Sequence, residues 1–237
     1  MAFSSFADRL PDPNYKITEA GDNSGSGLAG PGFASVKFSS EQPVSISRTN
    51  SGRVITRAIV GHSWKINITY NPMTRDEFEP VYSFLLEKRG RLKPFYIVLP
   101  QYSSPRTSTS GTISFQSAES AGVNNFITSG HDSITGGLRP GDMFTVTDSQ
   151  NSNHKKAYQI VRVNDSTNKL SGDTALNTSD ERRYYVTPPL EKSVTSGSTL
   201  VYTNPLIRVI QTTDVQEYNL GTNNLYQFSL NLEEAQP

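Results

Sequence analysis

Cysteine is absent from the 237 residues, which excludes disulfide scaffolds and thiolate metal sites and removes any sign of an oxidising compartment. Histidine is scarce. His62, His131 and His154 stand in different regions, and none belongs to an HxH or HxxxH pair that would present two nitrogens to one metal, so each reads as a surface or loop histidine. Neither sign of charge is in excess: 22 basic residues balance 22 acidic ones, and no global pull toward nucleic acid or an anionic membrane is expected. No apolar run approaches the roughly 18 residues that a bilayer span needs, and no apolar segment follows the initial Met. Neither a membrane protein nor a secretory precursor is expected. No internal repeat is evident.

Catalytic patterns are equally thin. No serine lies in a GxSxG elbow. The glycine-rich stretch from Gly25 to Gly32 lacks the Lys-Ser/Thr of a phosphate loop and follows no strong strand, so it reads as flexible backbone. Glu77 with Glu79, and Asp180 with Glu181, are the only neighbouring carboxylates weighed as acid and base, and helix-start and loop positions account for both. The expectation is no catalytic, metal or cofactor-binding residue, and hence no cofactor.

What is present is concentrated between Arg53 and Pro100. In Ser63-Trp64-Lys65-Ile66-Asn67-Ile68-Thr69-Tyr70 the apolar residues Trp64, Ile66, Ile68 and Tyr70 alternate with polar ones, which predicts a half-buried strand. Asn71-Pro72 breaks it. Thr74 with Glu77 three residues on is a capping-box pattern, and Phe78, Val81, Tyr82 and Leu85 recur at helical spacing. Lys88 and Arg89 suit the negative end of that helix, Gly90 is its expected left-handed stop, and Pro80 predicts a kink in its first turns. Phe95-Tyr96-Ile97-Val98-Leu99 reads as a short strand closed by Pro100.

Elsewhere, Val36–Phe38, Val44–Ile46 and Arg53–Arg57 read as short strands. Tyr102–Gly130 is rich in Ser, Thr, Gly and Asn and reads as a long connection with at most short strands such as Thr112–Phe115. Leu138-Arg139-Pro140-Gly141-Asp142 is turn chemistry leading into Met143–Thr147. With Ala157–Val163 and Tyr184–Thr187, that strand suggests a small β-barrel. Strands return at Leu206–Gln211 and Asn224–Leu232; in the latter Tyr226, Phe228, Leu230 and Leu232 fall on one face and need a sheet to join. The resulting division is an extended N-terminal arm over 1–35, a core domain from 36–100 and 205–237, and an inserted β-rich domain over 101–204. Trp64, Phe78, Tyr82, Leu85, Phe95, Tyr226 and Phe228 are the expected core. Lys88, Arg89, Arg91 and Lys93 form a basic corner, a candidate interface or channel surface.

The segment Val81–Phe95 contains Phe84-Leu85, Gly90 and Phe95 in an F-L-x-x-x-x-G-x-x-x-x-F passage. It resembles the helix-to-strand passage of the distal tail and tail-tip proteins of long-tailed bacteriophages. The alternating strand Tyr226–Leu232 is similar to the close of that family's domain. Leu138–Phe144, Ala157–Val161 and Thr187–Leu190 are similar to an insert that many phage tail proteins carry. The resemblance implies a mainly β fold with one principal α-helix: a split-barrel or β-sandwich, tail-tube-like core with an inserted small β-barrel. It further implies a homo-oligomer, usually a hexameric ring, joining the tail tube to the baseplate hub around a DNA channel, assembled in the host cytoplasm. Other tail-tube and hub proteins are the implied partners. Some tail-tip relatives bind an iron–sulfur cluster through cysteines; this chain has none, so that role is not carried over. Two other readings stay open. A carbohydrate- or receptor-binding β module would use exposed aromatics such as Tyr102, Tyr184, Tyr185 or Tyr202, and a tail-associated hydrolase would need a catalytic cluster.

Overall fold

Alternation dictates the central strand. In a computed structural model that describes residues 8–13, 16–17, 28–59, 61–165 and 175–235, Ser63–Tyr70 is a strand that buries Trp64, Ile66, Ile68 and Tyr70 and turns Lys65 and Thr69 to solvent. In chain order the described elements begin with β1 (Lys16–Ile17), β2 (Leu28–Ala29), β3 (Phe33–Glu41), β4 (Val44–Arg48) and β5 (Val54–Ala58). They continue with β6 (Ser63–Tyr70), α1 (Arg75–Lys88), β7 (Phe95–Ile97), β8 (Ser114–Phe115), β9 (Asn125–Ser129) and β10 (Met143–Thr147). The last are β11 (Ala157–Asn164), β12 (Arg182–Thr187), β13 (Thr199–Val201), β14 (Ile207–Gln211), β15 (Asn219–Leu220), β16 (Tyr226–Gln227) and β17 (Ser229–Glu234). The fold is mainly β with one α-helix and a closed six-stranded barrel.

The chain divides into two compact units: residues up to Ile97 together with Arg208–Ala235, and Val98–Ile207. The first is built on a five-stranded sheet in the order β3-β6-β17-β14-β7. Its antiparallel register sets Leu230 opposite Ile68 and Leu232 opposite Ile66, and on the other side of β6 it sets Phe38 opposite Ile66. Period-two patterns on three neighbouring strands thus merge into one apolar face. Phe38 stacks on Trp64 with ring centroids 4.6 Å apart. The opposite face is polar, and Asn67 of β6 donates its side-chain amide to Asn231 of β17.

Helix α1 starts where Glu77 reaches back: its carboxylate accepts the backbone N–H and the hydroxyl of Thr74, each at 2.9 Å. The helix runs unbroken through Pro80. It buries Phe78, Val81, Phe84 and Leu85, and Phe84 meets Phe95 of β7 edge-on at 5.3 Å. Its end differs from expectation, because the left-handed turn already begins at Arg89 (φ 55°), with Gly90 (φ 62°) continuing it. Glycine is required at the second position: a Cβ there would stand 3.0 Å from Asp214 Oδ1 and 3.1 Å from its Cα.

The second unit is the barrel, closed in the order β10-β11-β12-β9-β8-β13 with every pair antiparallel. Facing pairs Phe144–Tyr158, Ile160–Val186, Tyr184–Phe126 and Val146–Leu200 fill its interior. The stretch expected as a long connection with short strands supplies two barrel strands: β8, within the expected Thr112–Phe115, and β9, which was not expected. Residues 1–7, 14–15 and 18–27 of the expected arm lie outside the described residues. Part of the arm is fastened to the first unit. Leu10 and Asp12 are buried, and Leu10 N–H bonds Tyr96 O at 2.8 Å while Tyr96 N–H bonds Asp8 O at 2.7 Å, adding a short parallel bridge beside β7.

Candidate assembly surfaces

The basic corner does not stand as one patch. Lys88 is buried at 2% exposure: its ammonium bonds Asp8 Oδ1 at 2.7 Å and lies 4.9 Å from the centroid of Phe84. It is a fastening for the N-terminal segment and not an outward charge, which corrects its assignment to a surface cluster. Arg89, Arg91 and Lys93 are exposed. Of these, Arg91 is turned back on its own unit, its guanidinium donating to Thr212 O and lying 3.8 Å from Asp214.

Of the expected core residues, Trp64, Phe78, Leu85, Phe95 and Phe228 are buried, whereas Tyr82 and Tyr226 are half-buried. These two tyrosines belong to an aromatic cluster around Phe78, whose ring lies 4.5 Å from Tyr226, 5.0 Å from Tyr218, 5.1 Å from Tyr82 and 5.9 Å from Phe228. The cluster continues into a groove. An open cavity of about 440 Å³ is lined by Tyr70, Glu217, Tyr218, Gln227 and Phe228, among others, and on the chain beside it Val215 and Leu220 are exposed.

The hairpin of β4 and β5 is the least covered element. Every residue of β4 is exposed, and Val44, Ile46, Val54 and Ile55 each have about half or more of their surface in solvent. Its tip is well formed, with Thr49 N–H on Arg53 O at 3.0 Å and Gly52 N–H on Thr49 O at 2.9 Å. Residues 44–58 include Arg48, Arg53 and Arg57 and no carboxylate. Sequence alternation marked these strands but gave no signal that their apolar side would be uncovered.

The titratable groups considered as chemistry are structural. His154 is buried, not a surface histidine, and Tyr158, which accepts Glu191 N–H at 2.9 Å, lies 2.6 Å from its Nε2. Burial pulls its pKa down to about 4, with Lys192 assisting and Asp148 opposing. His131 is half-buried, bonds Thr128 at 2.9 Å and is likewise pulled down to about 4, first by burial and then by Arg182. Asp180 accepts the backbone N–H groups of Asp132 and Gly130, which hold its carboxyl below the usual range. Glu181 is buried, bonded by Gln116 and by Asn177 N–H. Glu79 pairs with Arg75 on the helix surface at 2.6 Å. Among the described residues, no group of three or more His, Asp or Glu side chains is arranged to hold a metal.

Of the aromatics weighed for sugar binding, Tyr184 and Tyr202 are buried in the barrel core and drop out. Tyr102 and Tyr185 are half-exposed, and the Arg162 guanidinium lies 4.3 Å from the Tyr185 ring centroid.

Comparison with known families matches residues 10–102 to the N-terminal part of the A domain of distal tail protein pb9. That match takes in most of the strands and the helix of the first unit. Distal tail protein pb9 of Escherichia phage T5 is 28% identical over 161 residues, which cover 68% of this chain and 71% of that protein.

Proposed function

We infer that this chain is a bacteriophage distal tail protein, a structural component of the virion, and that it forms a ring that joins the tail tube to the tail tip. In this reading the ring is a homo-oligomer, usually of six subunits, assembled in the host cytoplasm, in contact with tail-tube and hub proteins, and open at its centre for DNA. The observation that carries it is the match of residues 10–102, which falls on the unit containing the sheet, the helix and the uncovered hairpin. A subunit whose exposed hairpin carries uncovered apolar residues is suited to burial against neighbours. The balance of 22 basic and 22 acidic residues also suits a channel that lets DNA slide without holding it. In this reading the chain is a structural part and not an enzyme, and His131, His154, Asp180 and Glu181 hold the barrel together.

Light scattering of the purified chain, followed by negative-stain imaging, tests the proposal. A ring with a central hole supports it; a chain that stays monomeric at high concentration overturns it. A second reading applies to the barrel alone: Tyr185 beneath Arg162 on its outer surface resembles an aromatic platform for a sugar. Binding in a glycan screen that is lost in Tyr185→Ala would establish that module, with or without a ring.

A further inference from the structure

The hairpin and the groove are both on the sheet-bearing unit, and they pair exposed apolar residues with aromatic ones and basic residues with acidic ones. The hairpin register places Val44, Ile46 and Arg48 of β4 and Val54 and Thr56 of β5 on one side of the ribbon, since Arg48 faces Val54 and Ile46 faces Thr56. Three of these five are apolar and exposed, at 49% for Val44, 65% for Ile46 and 47% for Val54. A two-stranded ribbon with an uncovered apolar side is marginal in water and gains stability only when that side is buried. The groove is its counterpart. Its lining includes Tyr70, Tyr218, Phe228 and Glu217, and Val215 and Leu220 on the neighbouring chain are exposed. Residues 212–220 include Asp214 and Glu217 and no cation, whereas residues 44–58 carry three arginines and no acid.

We propose that the β4–β5 hairpin of one subunit docks in the Tyr218–Phe228 groove of a second copy of this chain. The pairing is heterologous, because the two surfaces differ, so each copy donates a hairpin and receives one. Such contacts propagate from copy to copy and close into a ring when the rotation between copies permits. The inference rests on the ring reading above and identifies the surfaces that make it. Tyrosine at the centre and charge at the edge match the usual anatomy of a contact in which a few anchors carry most of the binding.

Two variants test it, each altering only exposed positions: Ile46→Asp with Val54→Asp on the hairpin, and Glu217→Lys with Asn219→Lys in the groove. Circular dichroism should show both folded as wild type. Under conditions in which wild type forms an oligomer, each variant alone should sediment as a monomer. Self-association should weaken about tenfold or more, as expected when charge is placed at a contact centre. An equimolar mixture should form a one-to-one pair and grow no further, because the intact groove of the first variant accepts the intact hairpin of the second. Variants that keep the wild-type mass, or a mixture that stays monomeric, would overturn the docking while leaving the ring in place. A wild-type chain that is monomeric at every concentration would overturn both.

Discussion

Lys88 shows how far a residue's role departs from its type. Helix-dipole reasoning places a lysine in the last turn and expects it in water, yet the aliphatic stem lies buried and the ammonium holds Asp8 from a segment 80 residues away. Nothing local to the helix signals that contact. His131 and His154 show the same limit, since isolated histidines in polar stretches carry no mark of burial. Their environment has a measurable consequence. Both rings are held neutral in the folded barrel, with pKa values pulled from 6.5 to about 4, so between those values the unfolded chain binds protons that the folded barrel refuses. The stability from the neutral rings is fully present above about pH 6.5 and is lost as pH falls toward 4. The lowered carboxyls of Asp148 and Asp180 titrate below that window. Thermal melting followed from pH 7 to 4 should show a falling melting temperature, and a His131→Asn, His154→Asn double variant should flatten the slope. At Trp64, which is 2% exposed, truncation to Ala should cost about 3–5 kcal/mol in denaturant unfolding, the range for a large buried aromatic. The same change at half-buried Tyr82 should cost less.

At the level of elements, β6, α1 and the strands around Leu230 were legible because each combines a clean period with a terminator. Alternation over eight residues ended by Asn71-Pro72 is hard to misread, and so is a helical stripe that begins at Thr74 and Glu77. Strand β9 was not legible. Asn125-Phe126-Ile127-Thr128-Ser129 offers the core only Phe126 and the fully buried Thr128, whose hydroxyl donates to Arg182 O at 3.2 Å, so a polar residue occupies an inward position. Strand β13 is three residues long and too short to show a period. For the candidate surfaces, the hairpin strands were readable but their exposure was not, because alternation reports a two-sided strand without saying what covers either side. The helix start is open to a direct check. Removing the Glu77 carboxylate by Glu77→Ala takes away the oxygen that accepts both Thr74 bonds and should destabilise the first unit by about 1 kcal/mol, with little effect on the barrel.

Across the whole molecule, each unit has its own apolar interior, one on the β6–β17 face and one inside the barrel from Ile113 to Tyr202. Two cooperative transitions are therefore expected on chemical denaturation. Phe126→Ala should move one of them and Trp64→Ala the other; a single transition shifted equally by both would show that the units unfold as one. The barrel sits in the sequence between β7 and β14, which are neighbours in the sheet, so its entry and exit occupy adjacent strands.

Sheet order also imposes an order in time. Strand β17 lies between β6 and β14, and the bond from Trp64 N–H to the Glu234 carboxylate spans 170 residues of chain. During synthesis the ribosome releases β6 long before β17 exists, while all six barrel strands have emerged before β17 is made. The barrel can mature on the nascent chain, while the edge of β6 that β17 will join waits unpaired, with β3 alone beside the strand. That interval is when the polypeptide is most prone to aggregate, and it lengthens with every residue added to the barrel.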